Sequence, residues 1–383
     1  MPEHDLDLDL DLDLVEHLVD RHRADALEPG LAYGVVLDGH LVHSGGRGLG
    51  TPAVTPDADT VFRIASMTKV FTAAAVLLLR DDGRLRLDDE VATHVPEAAG
   101  LRPPTDDAPP ITVRSLLTMA AGFPTDDPWG DRQQDLPDDD FARLLTAGLS
   151  FAWTPGTTFE YSNLGYALLG RVISAAAGEP YADVVTRRLL EPLGLTATGF
   201  TAQGVQAGRL AQGHQRSGDI WEPVPFAGHG AFAPMGGLFS TVRDLSRWVG
   251  WLAAAFPPRD DPGDGPPRGD RAVQSPLSRA SRRELQLPHL ALPPTVTWRS
   301  IAEPPDVRGV GYGFGLVIEQ DPRLGRLVSH SGGYPGFGSH MRWHPASGLG
   351  VVVLGNATYA PAQRLGTGLL DALLAGGAAE RAA

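Results

Sequence analysis

Strand signatures occupy the two ends of this 383-residue chain and are nearly missing from the long stretch between them. Near the N-terminus, Leu31 to Leu37 and Leu41 to Gly48 flank Asp38-Gly39. That dipeptide favours a two-residue hairpin turn, because both of its positions tolerate positive φ. The C-terminal part returns to strand patterns at Tyr312 to Glu319, Arg326 to His330, Gly336 to His344 and Gly350 to Leu354, then ends in a helical segment from about Ala360 to Leu374. The two ends are therefore expected to share one antiparallel sheet. The length suits one large domain or two lobes with sizeable cores.

The inserted stretch reads as helices joined by long loops. Ile111 to Met119, Asp139 to Gly148, Asn163 to Ala177, Tyr181 to Leu190 and Leu238 to Ala255 carry helical spacing. A Pro/Asp-rich stretch separates the first two, and residues 257–270 form a Pro/Gly/Asp-rich loop, expected to be mobile. The fold class is thus α+β: an antiparallel sheet flanked by helices, built from both chain ends (about 15–80 and 290–383), with a mostly helical lobe (about 81–289) inserted. Residues 5–14 alternate Asp and Leu, and the dense like charge makes 1–14 a solvated, disordered tail. Apolar spacing from Leu14 to Leu27 then predicts the first helix.

Of 32 basic residues all but one are arginine, and the exception is Lys69. A bias against lysine explains the surface but not the one retained. Arginine stays protonated at any working pH, whereas a buried lysine is driven toward neutrality and can act as a base. Lys69 lies three residues after Ser66 and just ahead of an apolar run, Val70 to Leu79, that reads as a buried helix ending at Asp82-Gly83. Residues i and i+3 share a helix face, so the Ser66 hydroxyl and the Lys69 amine should meet. A serine at that place also fills a helix N-cap readily, and Ser-x-x-Lys alone is a weak signal. The solitary lysine tips the reading toward a nucleophile beside its base.

Two further segments carry candidate chemistry. Tyr161-Ser162-Asn163 precedes an apolar helix; Tyr161 is a possible proton carrier. Asn163 could hold the lysine amine or a substrate carbonyl, or simply begin the next helix. His330-Ser331-Gly332-Gly333 ends a strand, and its small residues would let a substrate approach the strand edge closely, or form an ordinary glycine-rich turn. No Gly-x-Ser-x-Gly elbow, phosphate loop or dinucleotide loop is present, and the twelve histidines form no metal pattern. No cofactor is expected.

With no cysteine, disulfides, thiol catalysis and cysteine-ligated metals are excluded. A formal charge of −14 argues against nucleic acid and anionic membranes as partners. No segment approaches the roughly 20 apolar residues of a membrane span, and the N-terminus is acidic rather than leader-like. A cytoplasmic location is the expectation.

Taken in order, Phe62 to Lys69, Thr154 to Gly165, Pro234 to Thr241, Tyr312 to Leu316 and His330 to Ser339 resemble the motifs of the serine β-lactamase and penicillin-binding-protein superfamily. The likeness is to its class C β-lactamase-like branch, with the family VIII carboxylesterases and D-aminopeptidases, and it covers about residues 15–375. It implies a β-lactamase/transpeptidase-like fold with the active site in the cleft between the lobes. It further implies Ser66 as acylated nucleophile, Lys69 and Tyr161 as the proton-transfer pair, and Asn163 orienting Lys69 or a substrate amide. His330, Ser331 and Gly332 would border the substrate, and the backbone N–H groups of Ser66 and Gly333 would form the oxyanion hole.

One departure from the family pattern matters. The third motif usually opens with lysine, whose ammonium helps bind a substrate carboxylate, and here it opens with His330. A histidine near its reference pKa of about 6.5 is largely neutral at pH 7. The resemblance thus points to a serine hydrolase acting on a small ester or amide. A β-lactamase or D-amino-acid-specific peptidase is the alternative, and a penicillin-sensing protein that acylates without turnover is the alternative outside the enzymes. The substrate pockets are expected from loops between the motifs, among them Phe123 to Trp129 and Trp221 to Gly230.

Overall fold

The computed structural model describes residues 10–25, 27–50, 54–127, 129–203, 205–206, 208–257, 275–297 and 306–382. In chain order the helices are α1 (Leu12–Ala24), α2 (Thr68–Asp81), α3 (Val91–His94), α4 (Val113–Leu117), α5 (Asp138–Ala147), α6 (Asn163–Ala177), α7 (Tyr181–Val185), α8 (Ala233–Gly236), α9 (Val242–Ala253), α10 (Arg279–Leu285) and α11 (Ala362–Ala382). The strands are β1 (Gly30–Leu37), β2 (His40–Gly48), β3 (Phe62–Arg63), β4 (His214–Ser217), β5 (Ile220–Pro223), β6 (Phe239–Ser240), β7 (Leu290–Thr297), β8 (Asp306–Tyr312), β9 (Val317–Asp321), β10 (Gly325–Tyr334), β11 (Phe337–Trp343) and β12 (Leu349–Gly355).

The two chain ends do share a sheet. Eight antiparallel strands run in the order β2-β1-β12-β11-β10-β9-β8-β7, with β1 joined to β12 from Leu31↔Gly355 to Leu37↔Leu349. Asp38 and Gly39 turn the first hairpin at φ 48° and 81°, as the dipeptide requires. Along β1 the side chains alternate between two cores. Leu31, Tyr33 and Val35 face one formed with α1 and α11, whereas Ala32 and Val36 face one formed with α9 and α2. Because both faces are covered, β1 reads as a continuous apolar run.

Helix α2 is the common axis of the molecule. Its Ala/Leu-rich sequence lacks glycine and proline, and every residue from Thr68 to Leu79 is buried. It packs against α6 and α8 on the helical side, and Phe71 stacks on Trp248 of α9 at 3.9 Å between ring centroids.

Several expectations need correction. Helix α1 begins at Leu12, so the residues from Leu12 to Leu14 leave the tail; Asp11 caps the helix by accepting from Leu14 N at 2.8 Å. Residues 1–9 lie outside the described residues, as does the 257–270 loop from 258 onward. Tyr312 to Glu319 is not one strand: Gly313 donates to Leu316 O and Gly315 takes φ 72°, turning β8 into β9. Helix α9 lies within the stretch assigned to the helical lobe, yet it covers the sheet over β1, β2, β11 and β12. Strands β7 and β8 and the β4–β5 hairpin carried no pattern that predicted them. Among the described residues no helix is long and apolar enough to cross a membrane.

Candidate active site

From Val61 to Leu79 every residue except Ser66 is buried. The reason is local geometry. Phe62 and Arg63 pair with Ser240 and Phe239, which fixes the chain just ahead of the serine. Ala65 then takes φ 48°, costly for a residue with a Cβ, and opens one 3-10 turn, Ala65–Met67. Lys69 follows three residues after Ser66, in the first turn of α2, which puts hydroxyl and amine on one face. The hydroxyl of Ser66 caps neither this turn nor α2. It faces a cleft of about 510 Å³.

Lys69 Nζ donates to Ser66 Oγ at 3.0 Å, to Asn163 Oδ1 at 2.7 Å and to Met235 O at 2.8 Å. All three donors of the ammonium are thereby used, and the side chain is fully buried. Burial drives its pKa down to about 8, against the opposing fields of Asp127, Asp126 and Asp131. The neutral amine is thus a minority near pH 7 and predominates above about 8. Tyr161 is the reverse case. Burial, with Tyr312 adding to it, holds the phenol well above its ordinary range, although a hydrogen bond with Ser66 opposes the rise. Lys69 Nζ stands 4.9 Å from the centre of the Tyr161 ring. Between the two, the amine releases its proton first.

Asn163 begins α6, where Ser162 is the N-cap and accepts from Gly165 N. Asn163 is itself fully buried. Its Oδ1 holds Lys69 and its Nδ2 donates to Asp127 Oδ1. Asp126 accepts from the backbone N–H of Asn163 and of Leu164, both at 2.7 Å. Asn163 thus begins α6 and at the same time holds the Lys69 amine.

The opposite wall is β10. It pairs with β9 only as far as Ser329↔Val317, so among the described residues its continuation through Tyr334 has no strand partner on that side. On its other side it forms a hairpin with β11, closed by Tyr334↔Phe337. Bonded and non-bonded pairs alternate outward from a two-residue turn. Gly333 and Ser331 therefore fall at positions whose backbone groups face the open edge. A Cβ on Gly332 would sit 2.4 Å from Ile64 O and 3.1 Å from Ala65 Cβ. Ser339 Oγ donates to Ile64 O at 2.7 Å, tying the sheet to the serine turn. Gly315 approaches from β8–β9, where a Cβ would lie 2.9 Å from Lys69 O.

His330 lines the cleft, with Nδ1 2.6 Å from Ser331 O. A carbonyl only accepts, so Nδ1 carries the proton and Nε2 the lone pair. Burial, together with the field of Lys69, pushes the ring pKa down to about 3, so it stays neutral. Ser331 Oγ meets His340 Nδ1 at 2.9 Å. Phe159, Leu292, Tyr312 and Val317 make the apolar part of the cleft, and Tyr359 closes it over Gly333.

The structure thus brings together Ser66, Lys69, Tyr161, Asn163, His330, Ser331, Gly332 and Gly333. It adds Met235 O, Asp126, Asp127, Asp131 and Tyr359, which sequence reading did not single out. Asp126 and Asp127 belong to the Phe123 to Trp129 loop expected to shape a pocket, but no pattern marked those carboxylates. No residue of the Trp221 to Gly230 loop lines the cleft; its Ala227 O accepts from the buried Arg63 at 2.7 Å. Among the described residues no cluster could hold a metal ion.

Residues 15–375 match the sequence model of the family described as Beta-lactamase. The D-alanyl-D-alanine-carboxypeptidase/endopeptidase AmpH of Escherichia coli strain K12 is 27% identical over 335 residues, covering 84% of this chain and 77% of that protein. Protein flp of Staphylococcus aureus strain MRSA252 is 28% identical over 338 residues, covering 86% of this chain and 59% of its own length. Among solved structures, an octameric penicillin-binding protein homologue from Pyrococcus abyssi superposes with a TM-score of 0.79 at 26% identity, covering 96% of this chain and 78% of the other. A class C β-lactamase mutant superposes with a TM-score of 0.72 at 20% identity, covering 94% and 97%, a likeness of fold.

Proposed function

The chain belongs to the β-lactamase family of serine hydrolases, and from that footing we propose that it cleaves small esters or amides through a covalent acyl intermediate on Ser66. The observation that carries this reading is the Lys69 amine, buried, 3.0 Å from Ser66 Oγ and brought down to about 8. Neutral Lys69 takes the Ser66 proton as Oγ attacks the substrate carbonyl. The backbone N–H groups of Ser66 and Gly333 hold the oxyanion, an arrangement that contributes roughly 3–4 kcal/mol per donor in other acyl-transfer enzymes. When the tetrahedral intermediate collapses, the Tyr161 hydroxyl protonates the leaving alkoxide or amine and regains a proton from the Lys69 ammonium. Water then attacks the acyl carbonyl while neutral Lys69 takes its proton. As the second tetrahedral intermediate collapses, the Lys69 ammonium returns that proton to the departing Ser66 Oγ, releasing the acid and restoring the neutral amine.

His330 supports ester or neutral-amide substrates over carboxylate-bearing ones. As a neutral ring whose Nδ1 proton is already donated, it offers an anion no charge. The likeness to AmpH favours a second reading, a D-alanyl peptidase or β-lactamase. Turnover of p-nitrophenyl butyrate, nitrocefin and D-alanyl amide by wild type and Ser66→Ala separates the two. Ester turnover that is lost in Ser66→Ala supports the proposal; nitrocefin or D-alanyl amide as the preferred substrate replaces it with the second reading.

A further inference from the structure

We infer that this cleft selects substrates carrying an ammonium group, which Asp127 pairs with, so that the substrate class is an amine-bearing ester or amide. The inference rests on the serine-hydrolase reading above and narrows it. Among the described residues lining the cleft, Asp127 alone carries a formal charge. Its carboxylate takes one hydrogen bond, from Asn163 Nδ2, and the residue remains exposed.

The charges around it have the same sign. Asp126 and Asp131 stand close enough, with Asp127, for their fields to act on Lys69. Asp126 is turned to the α6 backbone, and Asp131 accepts from Tyr359 Oη at 2.6 Å. The cations nearby do not offset them at the lining. Arg63 is buried between the Phe239 and Tyr334 rings, 4.5 and 4.6 Å from their centres. Arg132 is exposed, and its field reaches the Tyr359 rim without the residue lining the cleft.

Two features make the preference act during catalysis. Lys69 has to be neutral when it accepts the Ser66 proton, so the reactive form keeps no cation at the lining. His330 presents a lone pair rather than an N–H at Nε2, since Nδ1 holds the proton for Ser331 O. An anionic group would meet a carboxylate and a hydrogen-bond acceptor; an ammonium would meet complementary partners.

Matched p-nitrophenyl esters test this. β-Alanyl, butyryl and succinyl esters have acyl chains of similar size carrying an ammonium, a methyl and a carboxylate. A second arm places the cation on the alcohol, comparing butyrylcholine with 3,3-dimethylbutyl butyrate. In at least one arm kcat/KM for the cationic member exceeds that of its neutral isostere by about ten-fold, the ratio one ion pair at a surface supplies. Succinyl is the poorest substrate of the first arm. Asp127→Asn, which keeps an acceptor for Asn163, collapses the cationic-to-neutral ratio toward one, as does high salt. Equal or higher kcat/KM for the neutral and anionic esters in wild type overturns the inference while leaving Ser66 catalysis standing. A ratio unchanged in Asp127→Asn overturns the role of that residue. If none of the esters shows Ser66-dependent turnover, the underlying hydrolase reading fails and this inference with it.

Discussion

Lys69 Nζ lies 2.7 Å from Asn163 Oδ1 and 3.0 Å from Ser66 Oγ, so one buried amine joins the residue that holds it to the hydroxyl whose proton it is proposed to take. Lys69→Arg preserves charge but removes basicity, and the planar guanidinium cannot reproduce three divergent bonds from one atom. Ester kcat/KM should fall by at least about a hundredfold, within the range general-base catalysis contributes, while circular dichroism stays native. Activity within a few-fold of wild type would rule out a neutral amine as base.

The same amine sets the pH dependence. Its pKa is lowered from 10.5 to about 8, and in the proposed mechanism the deprotonated form is the reactive one. Activity therefore rises with pH through about 8 and levels above it, and the amine is mostly protonated below. Tyr161 is held well above its ordinary range and adds no limb there. Asp127→Asn removes one carboxylate that favours the ammonium, so its rising limb should move to lower pH. A kcat/KM profile with p-nitrophenyl butyrate checks both statements; a flat profile, or a limb moved upward in the variant, contradicts them.

Gly332 passes so close to the serine turn that an added Cβ would meet Ile64 O and Ser339 Oγ at 2.4 Å each. Gly332→Ala should displace β10 from Ser66 and cost about a hundredfold in kcat/KM, the scale of an ångström-sized misplacement at a reacting centre. Steady-state kinetics on the folded variant is the measurement.

Asp126 accepts two backbone N–H groups at the start of α6. Asp126→Ala leaves both without that partner and should cost about 1–2 kcal/mol, as removal of a helix cap does. Thermal unfolding should show a lower Tm. Because Asn163 is anchored there, kcat should fall as well, whereas a merely stabilising role would leave it unchanged.

Much of this arrangement was legible in the sequence, because the relevant signals are local. Asp38-Gly39 marked the first hairpin, the apolar spacing from Asn163 to Ala177 matched α6 end to end, and the spacing of Ser66 and Lys69 placed hydroxyl and amine together. What stayed hidden depends on distant partners. Met235 contributes a backbone carbonyl, which no residue type announces. Asp126 and Asp127 look like any acidic loop residues until α6 is placed beside them. Pro293 and Pro294 interrupt the pattern of β7, whose pairing with β8 shifts register between Leu292 and Thr295. Helix α9 read correctly as a helix, but which layer it covers is decided by the sheet it meets.

The most direct test of acyl transfer to Ser66 is intact-mass spectrometry on rapidly quenched mixtures with p-nitrophenyl butyrate, followed by peptide mapping. The expected result is one butyryl group on the peptide containing Ser66, present at early times, gone once substrate is consumed, and never formed in Ser66→Ala. An adduct that persists after substrate is exhausted would mark a protein that acylates without turnover. Hydrolysis with no adduct on that peptide, undiminished in Ser66→Ala, would contradict a serine acyl-enzyme altogether.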